Sequence, residues 1–308
     1  MATQSLLASA PYNCTEGTVY SNGLRLHYES LGDTSAPTIL LIMGLGMQLT
    51  AWPDPFCEAL VRQGFRVVRF DNRDAGLSTK ADWLPIPNVP MNALRHRLGL
   101  PVEAGYTLHD MARDTAGLLD ALGIFRAHVV GASMGGMIGQ TLASHFPDRV
   151  LTLTSIMSST GCRRLPGPTT KATRALLSKP KSKELEAIVE HQIKVFGILG
   201  SPGFPMDPEE RRQEIRRNIQ RSRCVRGIAR QMAAIFASGD RSADLAHIRC
   251  PTLVIHGAQD PLLPLAAGRD TAAKIPNAKL QVIEGMGHDM AAWPIIAEAI
   301  AAHAGSDR

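Results

Sequence analysis

Short hydrophobic runs recur along the chain, and polar or glycine-rich stretches separate them. Runs this short do not make helices and are typical of strands buried on both faces of a sheet. They lie at 38–43, 66–70, 128–130, 150–156, 252–256 and 280–284. Two further strands, 18–20 and 24–30, flank an Asn22-Gly23 pair, which favours a tight hairpin turn. We therefore predict about eight strands, of which the first two are antiparallel.

Between the later strands, apolar residues recur at helical spacing. In 107–122, Leu108, Met111 and Leu118 fall on one face, and Gly123 follows as a stop signal. The other predicted helices are 52–63, 134–145, 263–274 and 293–302. Strands that alternate with helices are joined by right-handed crossovers, so the sequence predicts an α/β fold. Its sheet should be mostly parallel and twisted, with helices on both faces.

Three stretches depart from this alternation. Residues 1–16 are predicted to form a loose arm, and the proline-rich residues 79–105 an irregular excursion. Residues 158–244 are helical and charged without a strand-like run, which predicts a helical cap inserted into a core made of 1–157 and 245–308. The cap segment carries 17 Lys and Arg against 9 Asp and Glu. We interpret this excess as a solvated basic face, and a guide for an anionic substrate is the alternative.

The run at 128–130 leads into Gly131-Ala132-Ser133-Met134-Gly135-Gly136, which contains the pattern G-x-S-x-G. A serine hydroxyl is a poor nucleophile at neutral pH, so it needs an exposed position, a neighbouring base and a site for the developing oxyanion. A sharp turn from strand to helix supplies the exposure, and the flanking glycines let the backbone segments approach closely. We predict that Ser133 is a nucleophile. The alternative is a glycine-rich turn with a solvent-facing serine.

Two later loops offer partners for Ser133. His288 lies in a glycine-flanked loop directly after a predicted strand, and Asp260 stands before a proline in the loop after the preceding strand. The order nucleophile, acid, base along the chain is the one that a G-x-S-x-G elbow accompanies. His288 is therefore the predicted base and Asp260 the predicted acid that orients it. We expect His256 to be structural and Asp289 to point away from the site.

The oxyanion needs two fixed donors, which main-chain amides can supply. One is predicted to be the amide of Met134, and the other the amide of Leu45 in the turn Gly44-Leu45-Gly46, which could equally be only a tight corner. Apolar candidates for the substrate pocket are Met43, Met47, Trp52 and Met286. Methionines at these positions are equally consistent with gap-filling in the core.

Composition excludes several classes of function. A net charge of +5 with 4 Tyr, 8 Phe and 3 Trp in 308 residues does not favour nucleic-acid binding. Five cysteines without a C-x-x-C pair predict reduced thiols and a cytoplasmic protein. We expect neither a secretory signal nor a membrane span, because no apolar segment approaches the roughly 20 residues that are needed. Neither a metal-ligand set nor a phosphate-binding loop is visible, so no metal and no cofactor are expected.

Four motifs carry a resemblance to a known family. They are Met43-Gly44-Leu45-Gly46, Asp71-Asn72-Arg73-Asp74-Ala75-Gly76-Leu77-Ser78, Ala237-Ser238-Gly239-Asp240-Arg241 and Gly285-Met286-Gly287-His288-Asp289. With them, residues 18–303 resemble the α/β-hydrolase fold family, and within it the aclacinomycin methylesterase-like esterases. The resemblance implies Ser133, Asp260 and His288 as the triad. Met43 replaces the family's usual histidine before the oxyanion turn, which should alter the pocket lining more than the chemistry.

We therefore expect a serine hydrolase that forms an acyl-enzyme on Ser133 and cleaves carboxylic esters or lactones of a small, largely apolar substrate. The resemblance excludes haloalkane dehalogenases and epoxide hydrolases, which need an aspartate at the elbow. C–C bond hydrolysis and cofactor-free perhydrolysis by the same triad remain alternatives, because a fold does not fix a reaction. A non-catalytic ligand receptor is a further alternative. The expected partner is a small-molecule ester, and the expected assembly a monomer or homodimer.

Overall fold

The computed structural model describes residues 12–306, in which eight strands form one sheet. The strands are β1 Cys14–Ser21, β2 Leu24–Leu31, β3 Thr38–Ile42, β4 Arg66–Phe70, β5 Ala127–Ala132, β6 Val150–Ile156, β7 Thr252–Gly257 and β8 Lys279–Ile283. Their order is β1-β2-β4-β3-β5-β6-β7-β8. Both pairings of β2 are antiparallel and all later pairings are parallel. The prediction of a mostly parallel α/β sheet is confirmed.

Helices cover both faces of the sheet. They are α1 Asp54–Arg62, α2 Val89–Leu98, α3 Leu108–Ala121, α4 Met134–His145, α5 Thr170–Leu177, α6 Leu185–Leu199, α7 Pro208–Arg221, α8 Val225–Ser238, α9 Ser242–Leu245, α10 Leu265–Lys274 and α11 Trp293–Gly305. Alternate side chains of β3 point to opposite faces. Leu40 and Ile42 pack with α3 and α4, whereas Ile39 and Leu41 pack with α1 and α11. Each face therefore has its own hydrophobic core.

The beginning of the chain is more ordered than the sequence predicts. The hairpin turn is confirmed, because Asn22 and Gly23 have φ values of 49° and 79°, as a two-residue turn between twisted strands requires. Residues 14–16, predicted to belong to a loose arm, are instead the first residues of β1. Their backbone pairs with that of β2, down to Cys14 opposite Leu31. Residues 1–11 of the predicted arm lie outside the described residues.

The irregular excursion predicted for 79–105 contains the helix α2, so that prediction is wrong for 89–98. Asn88 caps the helix by accepting a hydrogen bond from the Met91 amide, and Gly99 ends it with a φ of 72°. The helix shows no apolar stripe at the sequence level because it buries little hydrophobic surface. Met91 and Leu94 are about half exposed (49% and 51%).

The segment 158–244, hereafter the insertion, leaves the sheet after β6 and returns shortly before β7. It contains α5, α6, α7, α8 and the first residues of α9, and in the described structure it contributes no strand. No helix within residues 12–306 combines the length and the hydropathy that a bilayer crossing requires.

Candidate active site

Ser133 occupies a sharp turn between β5 and α4. Its φ of 55° and ψ of −118° are strained for a residue with a side chain, and its amide donates to the Ile156 carbonyl of the neighbouring strand. A Cβ on Gly131 would collide with the Gly135 carbonyl, and one on Gly135 with the Ile42 carbonyl. Only glycines permit this approach, so the motif fixes the position of the serine.

The three residues predicted as nucleophile, base and acid form one hydrogen-bonded chain. The distance from Ser133 Oγ to His288 Nε2 is 3.1 Å, and that from His288 Nδ1 to Asp260 Oδ2 is 2.7 Å. A carboxylate can only accept, so the proton of the neutral ring is on Nδ1 and Nε2 is free to accept from the serine. The sheet brings the three together because β5, β7 and β8 end at the same edge.

The acid is held by its own loop. Asp260 Oδ1 accepts the amides of Leu262 and Leu263, each at 2.8 Å, and the side chain is fully buried. His256 supports the same loop, since its Nε2 bonds the Leu263 carbonyl at 2.7 Å. Burial lowers the pKa of His256, which opposes protonation despite the nearby Asp260. A neutral His256 is thus part of the scaffold around the acid.

The glycine turn after β3 lies against the elbow. A Cβ on Gly44 would approach Ser133 Cβ to 3.2 Å, so the two segments are in close contact. Asn72 Nδ2 donates to the Met43 carbonyl and supports the start of the turn. Within residues 12–306, neither the Leu45 amide nor the Met134 amide has a hydrogen-bond acceptor. Both predicted oxyanion donors therefore retain an available N–H group.

A cavity of about 2250 Å³ surrounds Ser133 and His288, with walls from both the core and the insertion. Eight of the chain's 12 methionines line it: Met43, Met47, Met134, Met137, Met157, Met206, Met232 and Met290. Two predicted pocket residues do not line it. Trp52 is fully buried and stacks on Phe56, and Met286 is fully buried in the same hydrophobic core. Their positions beside glycine-rich loops gave no indication of which way the side chains point.

The loop after β4 joins the core to the insertion, a role that the sequence analysis did not assign. Arg221 of α7 donates to Asp71 at 2.8 Å. Arg230 of α8 donates to both carboxylate oxygens of Asp74, at 2.6 and 2.8 Å. Burial alone would raise the pKa of Asp74, but hydrogen bonds from Arg230, Tyr106 and the Ala81 amide hold it below its ordinary value. The sequence signal that could have revealed this role is the cluster of charged residues in the loop after β4, which is otherwise buried.

Within the described part of the chain, one cluster of side chains could in principle ligate a metal ion. Ligand atoms of Glu16, His27 and Glu29 lie within 4.8 Å of one another on the first hairpin. Arg69 already pairs with Glu29 at 2.6 Å, which offsets the negative charge that would attract a cation. None of the three belongs to the Ser133 chain of hydrogen bonds.

Comparison with known proteins identifies the family of the chain. The sequence profile of the α/β hydrolase fold matches residues 37–293. The chain is 30% identical over 307 residues to the rhodomycin D methylesterase of Streptomyces peucetius, covering 92% of this chain and 96% of the relative. It is 28% identical over 272 residues to the 2-hydroxy-6-oxononadienedioate/2-hydroxy-6-oxononatrienedioate hydrolase of Burkholderia vietnamiensis, covering 86% and 85%.

A solved structure of similar overall shape is the enol-lactonase from Burkholderia xenovorans. It has a TM-score of 0.68 and 26% identity, with 94% of this chain and 99% of the lactonase covered. The relatives confirm the resemblance to the methylesterase group and support the prediction of a carboxylic ester hydrolase. The chain belongs to the α/β hydrolase fold family.

Proposed function

We propose that this protein is a serine hydrolase that cleaves carboxylic esters or lactones through an acyl-enzyme on Ser133. The observation that carries the proposal is the chain of hydrogen bonds from Ser133 through His288 to Asp260, at 3.1 and 2.7 Å, inside a large cavity. A serine at a strained elbow with a base in reach is arranged for nucleophilic attack.

In the proposed reaction, Ser133 Oγ attacks the ester carbonyl while His288 Nε2 takes its proton. The imidazolium is stabilised by the buried Asp260 carboxylate. The amides of Leu45 and Met134 bind the negative oxygen of the tetrahedral intermediate. His288 then gives the proton to the leaving alcohol, and a water molecule, deprotonated by the same histidine, hydrolyses the acyl-enzyme.

We also propose that the insertion acts as a cap that selects the substrate. Apolar residues of α6, such as Phe196 and Leu199, and charged residues of α7, such as Arg217, line the same cavity as Ser133. The volume exceeds the ~300–1,000 Å³ of a pocket for a drug-sized ligand. A small substrate would fill only part of it, so we expect turnover to improve for bulky, largely apolar acyl or alcohol groups.

The test is a panel of p-nitrophenyl esters and lactones, assayed with the wild type and with Ser133→Ala. We expect hydrolysis by the wild type and a loss of at least about 10³-fold in kcat for the variant, because removal of a triad member removes most of the acceleration. A fluorophosphonate probe should label the wild type only. Unchanged turnover in Ser133→Ala would rule out the proposed nucleophile. A wild type that neither reacts with the probe nor hydrolyses any ester favours a ligand receptor.

C–C bond hydrolysis is the second candidate. It is favoured by the Burkholderia vietnamiensis relative, because the compound in its name has a ketone and two carboxylates but no ester bond to hydrolyse. The same protein should be offered a 2-hydroxy-6-oxo-diene acid and an ester of similar size in parallel. A kcat/KM that is higher for the keto acid would assign the C–C reaction. Peroxide-dependent halide oxidation in the same assay would instead assign perhydrolysis.

A further inference from the structure

The insertion reaches both loops to which the proposed function assigns chemistry. One is the oxyanion turn, 44–46, and the other is the base loop, 285–289. Each is hydrogen-bonded to a buried polar side chain of the insertion, Gln231 and Ser201 respectively. These two side chains do not line the cavity, so substrate binding alone does not account for them.

Ser201 follows α6 and holds the base loop on both sides of His288. Its Oγ accepts the Gly287 amide at 2.9 Å and donates to Asp289 Oδ1 at 2.5 Å. The His288 amide itself donates to the Leu199 carbonyl at 2.7 Å. Three successive residues of the base loop are therefore bonded to 199–201. The Asp289 carboxylate also accepts a hydrogen bond from Arg211 of α7 at 3.3 Å, which adds a second contact with the insertion.

Close backbone packing reinforces the contact. A Cβ on Gly287 would collide with the Gly200 carbonyl, and a Cβ on Gly200 would approach the Asp289 carboxylate to 2.9 Å. The Gly203 amide donates to the Gly285 carbonyl at 2.9 Å. The end of α6 and the base loop therefore fit together with little freedom to shift, and the position of the imidazole depends on where α6 ends.

Gln231 of α8 plays the equivalent part at the oxyanion turn. Its Oε1 accepts the Gly46 amide at 2.7 Å, and its Nε2 donates to the Arg73 carbonyl at 2.7 Å. The side chain is fully buried, so water cannot replace these bonds at low cost. Gly46 follows Leu45, whose amide is the proposed oxyanion donor. Gln231 thus holds the 45–46 peptide, which adjoins the 44–45 peptide that carries the Leu45 N–H group.

We propose that Ser201 and Gln231 are positioning residues, and that the catalytic site is complete only when the insertion is docked on the core. The inference rests on the proposed function, since it assigns these residues to the base and the oxyanion donor. Catalysis is sensitive to small displacements, and a shift of about 1 Å in a reacting group can reduce a rate about 100-fold. Loss of either side chain should therefore lower kcat without removing the substrate cavity.

Ser201→Ala tests the positioning role of Ser201. The matched control is Ser178→Ala, because that exposed hydroxyl bonds only to the Ala175 carbonyl in its own helix. On the best ester of the panel we expect kcat to fall about 10- to 100-fold with KM within about twofold. The control should match the wild type.

Gln231→Leu tests the positioning role of Gln231. We expect a similar fall in kcat with KM again within about twofold, because the oxyanion turn is altered and the substrate cavity is not. Thermal melting confirms that each variant is folded. If either fails to fold, Ser201→Cys and Gln231→Glu take its place. The thiol keeps the size of the serine with weaker hydrogen bonds, and the glutamate keeps the acceptor for Gly46 but loses the donor to Arg73.

The outcomes separate the two proposals. Turnover that survives Ser133→Ala contradicts the proposed function itself. Turnover that is lost in Ser133→Ala but equals the wild type in folded Ser201 and Gln231 variants overturns the positioning roles alone. A rise in KM with unchanged kcat would also overturn them, because it would mean that the side chains shape the cavity and not the reacting groups.

Discussion

Ser133 and His288 are hydrogen-bonded to each other, yet different kinds of contact hold them in place. Ser133 is fixed by glycines packed against the backbone of the core, where any added Cβ collides. His288 sits in a loop whose amides and carboxylate bond to the insertion. The nucleophile therefore depends mainly on the core, with one added bond from Ser158 Oγ of the insertion to the Ser133 carbonyl at 2.8 Å, whereas the base depends on how the insertion docks.

A buried ion pair joins the insertion to the core. The side chains of Asp74 and Arg230 are 0% and 2% exposed and form a bidentate pair between the core loop and α8. A buried pair adds little net stability over apolar contacts, but it penalises every arrangement in which one partner is left alone. The pair thus favours the docked arrangement in which Arg230 and Asp74 meet.

The largest effect on stability should come from a substitution that disrupts the glycine packing around Ser133. In Gly135→Ala the new Cβ collides with the Ile42 carbonyl, which cannot move without disturbing β3. We expect no soluble folded protein, or a loss of more than about 4 kcal/mol in the free energy of unfolding, measured by urea denaturation. Gly167→Ala is the control, because a Cβ there has nothing within 4 Å. Normal stability of Gly135→Ala would mean that the elbow tolerates a wider turn.

A substitution that breaks the ion pair between the insertion and the core should lower the free energy of unfolding by less, but the loss should still be severe. Arg230→Met leaves the buried Asp74 carboxylate without its cation, which should lower the free energy of unfolding by about 3 kcal/mol or more. Adding Asp74→Asn should restore part of this loss, since the stranded charge is then gone. Arg95→Met removes an exposed pair and should change stability by less than about 1 kcal/mol. Equal effects of the two arginine variants would contradict an interface held by buried charge.

The smallest effect is a pH dependence of the free energy of unfolding, and it comes from His256, which supports the Asp260 loop. The pKa of His256 is lowered in the folded protein, so between that pKa and the ordinary 6.5 the unfolded chain binds the extra proton. The free energy of unfolding should therefore fall as the pH is lowered from 7 through the ordinary pKa of about 6.5. His256→Gln should remove this loss, whereas the exposed His247→Gln should not. The same decline in all three proteins would show that His256 is not its source.

The elements that bury an apolar stripe or run were predictable, and those that do not were missed. Residues 38–43 form a continuous apolar run, and 66–70 form a short run around Val67, Val68 and Phe70; they appear as β3 and β4 within one residue. The helix α2 was missed because its apolar side chains are exposed. Trp52 was assigned to the pocket because it follows the oxyanion turn, but burial against Phe56 directs it into the core.

The order of the strands, the elbow at Ser133 and the candidate partners Asp260 and His288 were predictable, because periodicity, glycine spacing and loop position are local properties of the chain. Which side chains face the cavity and how the insertion meets the core depend on tertiary packing, which leaves no such local pattern. Ser201 and Gln231 have no local signature. Their roles arise from amides that lie far away in sequence, and only the folded backbone brings those amides within hydrogen-bond distance.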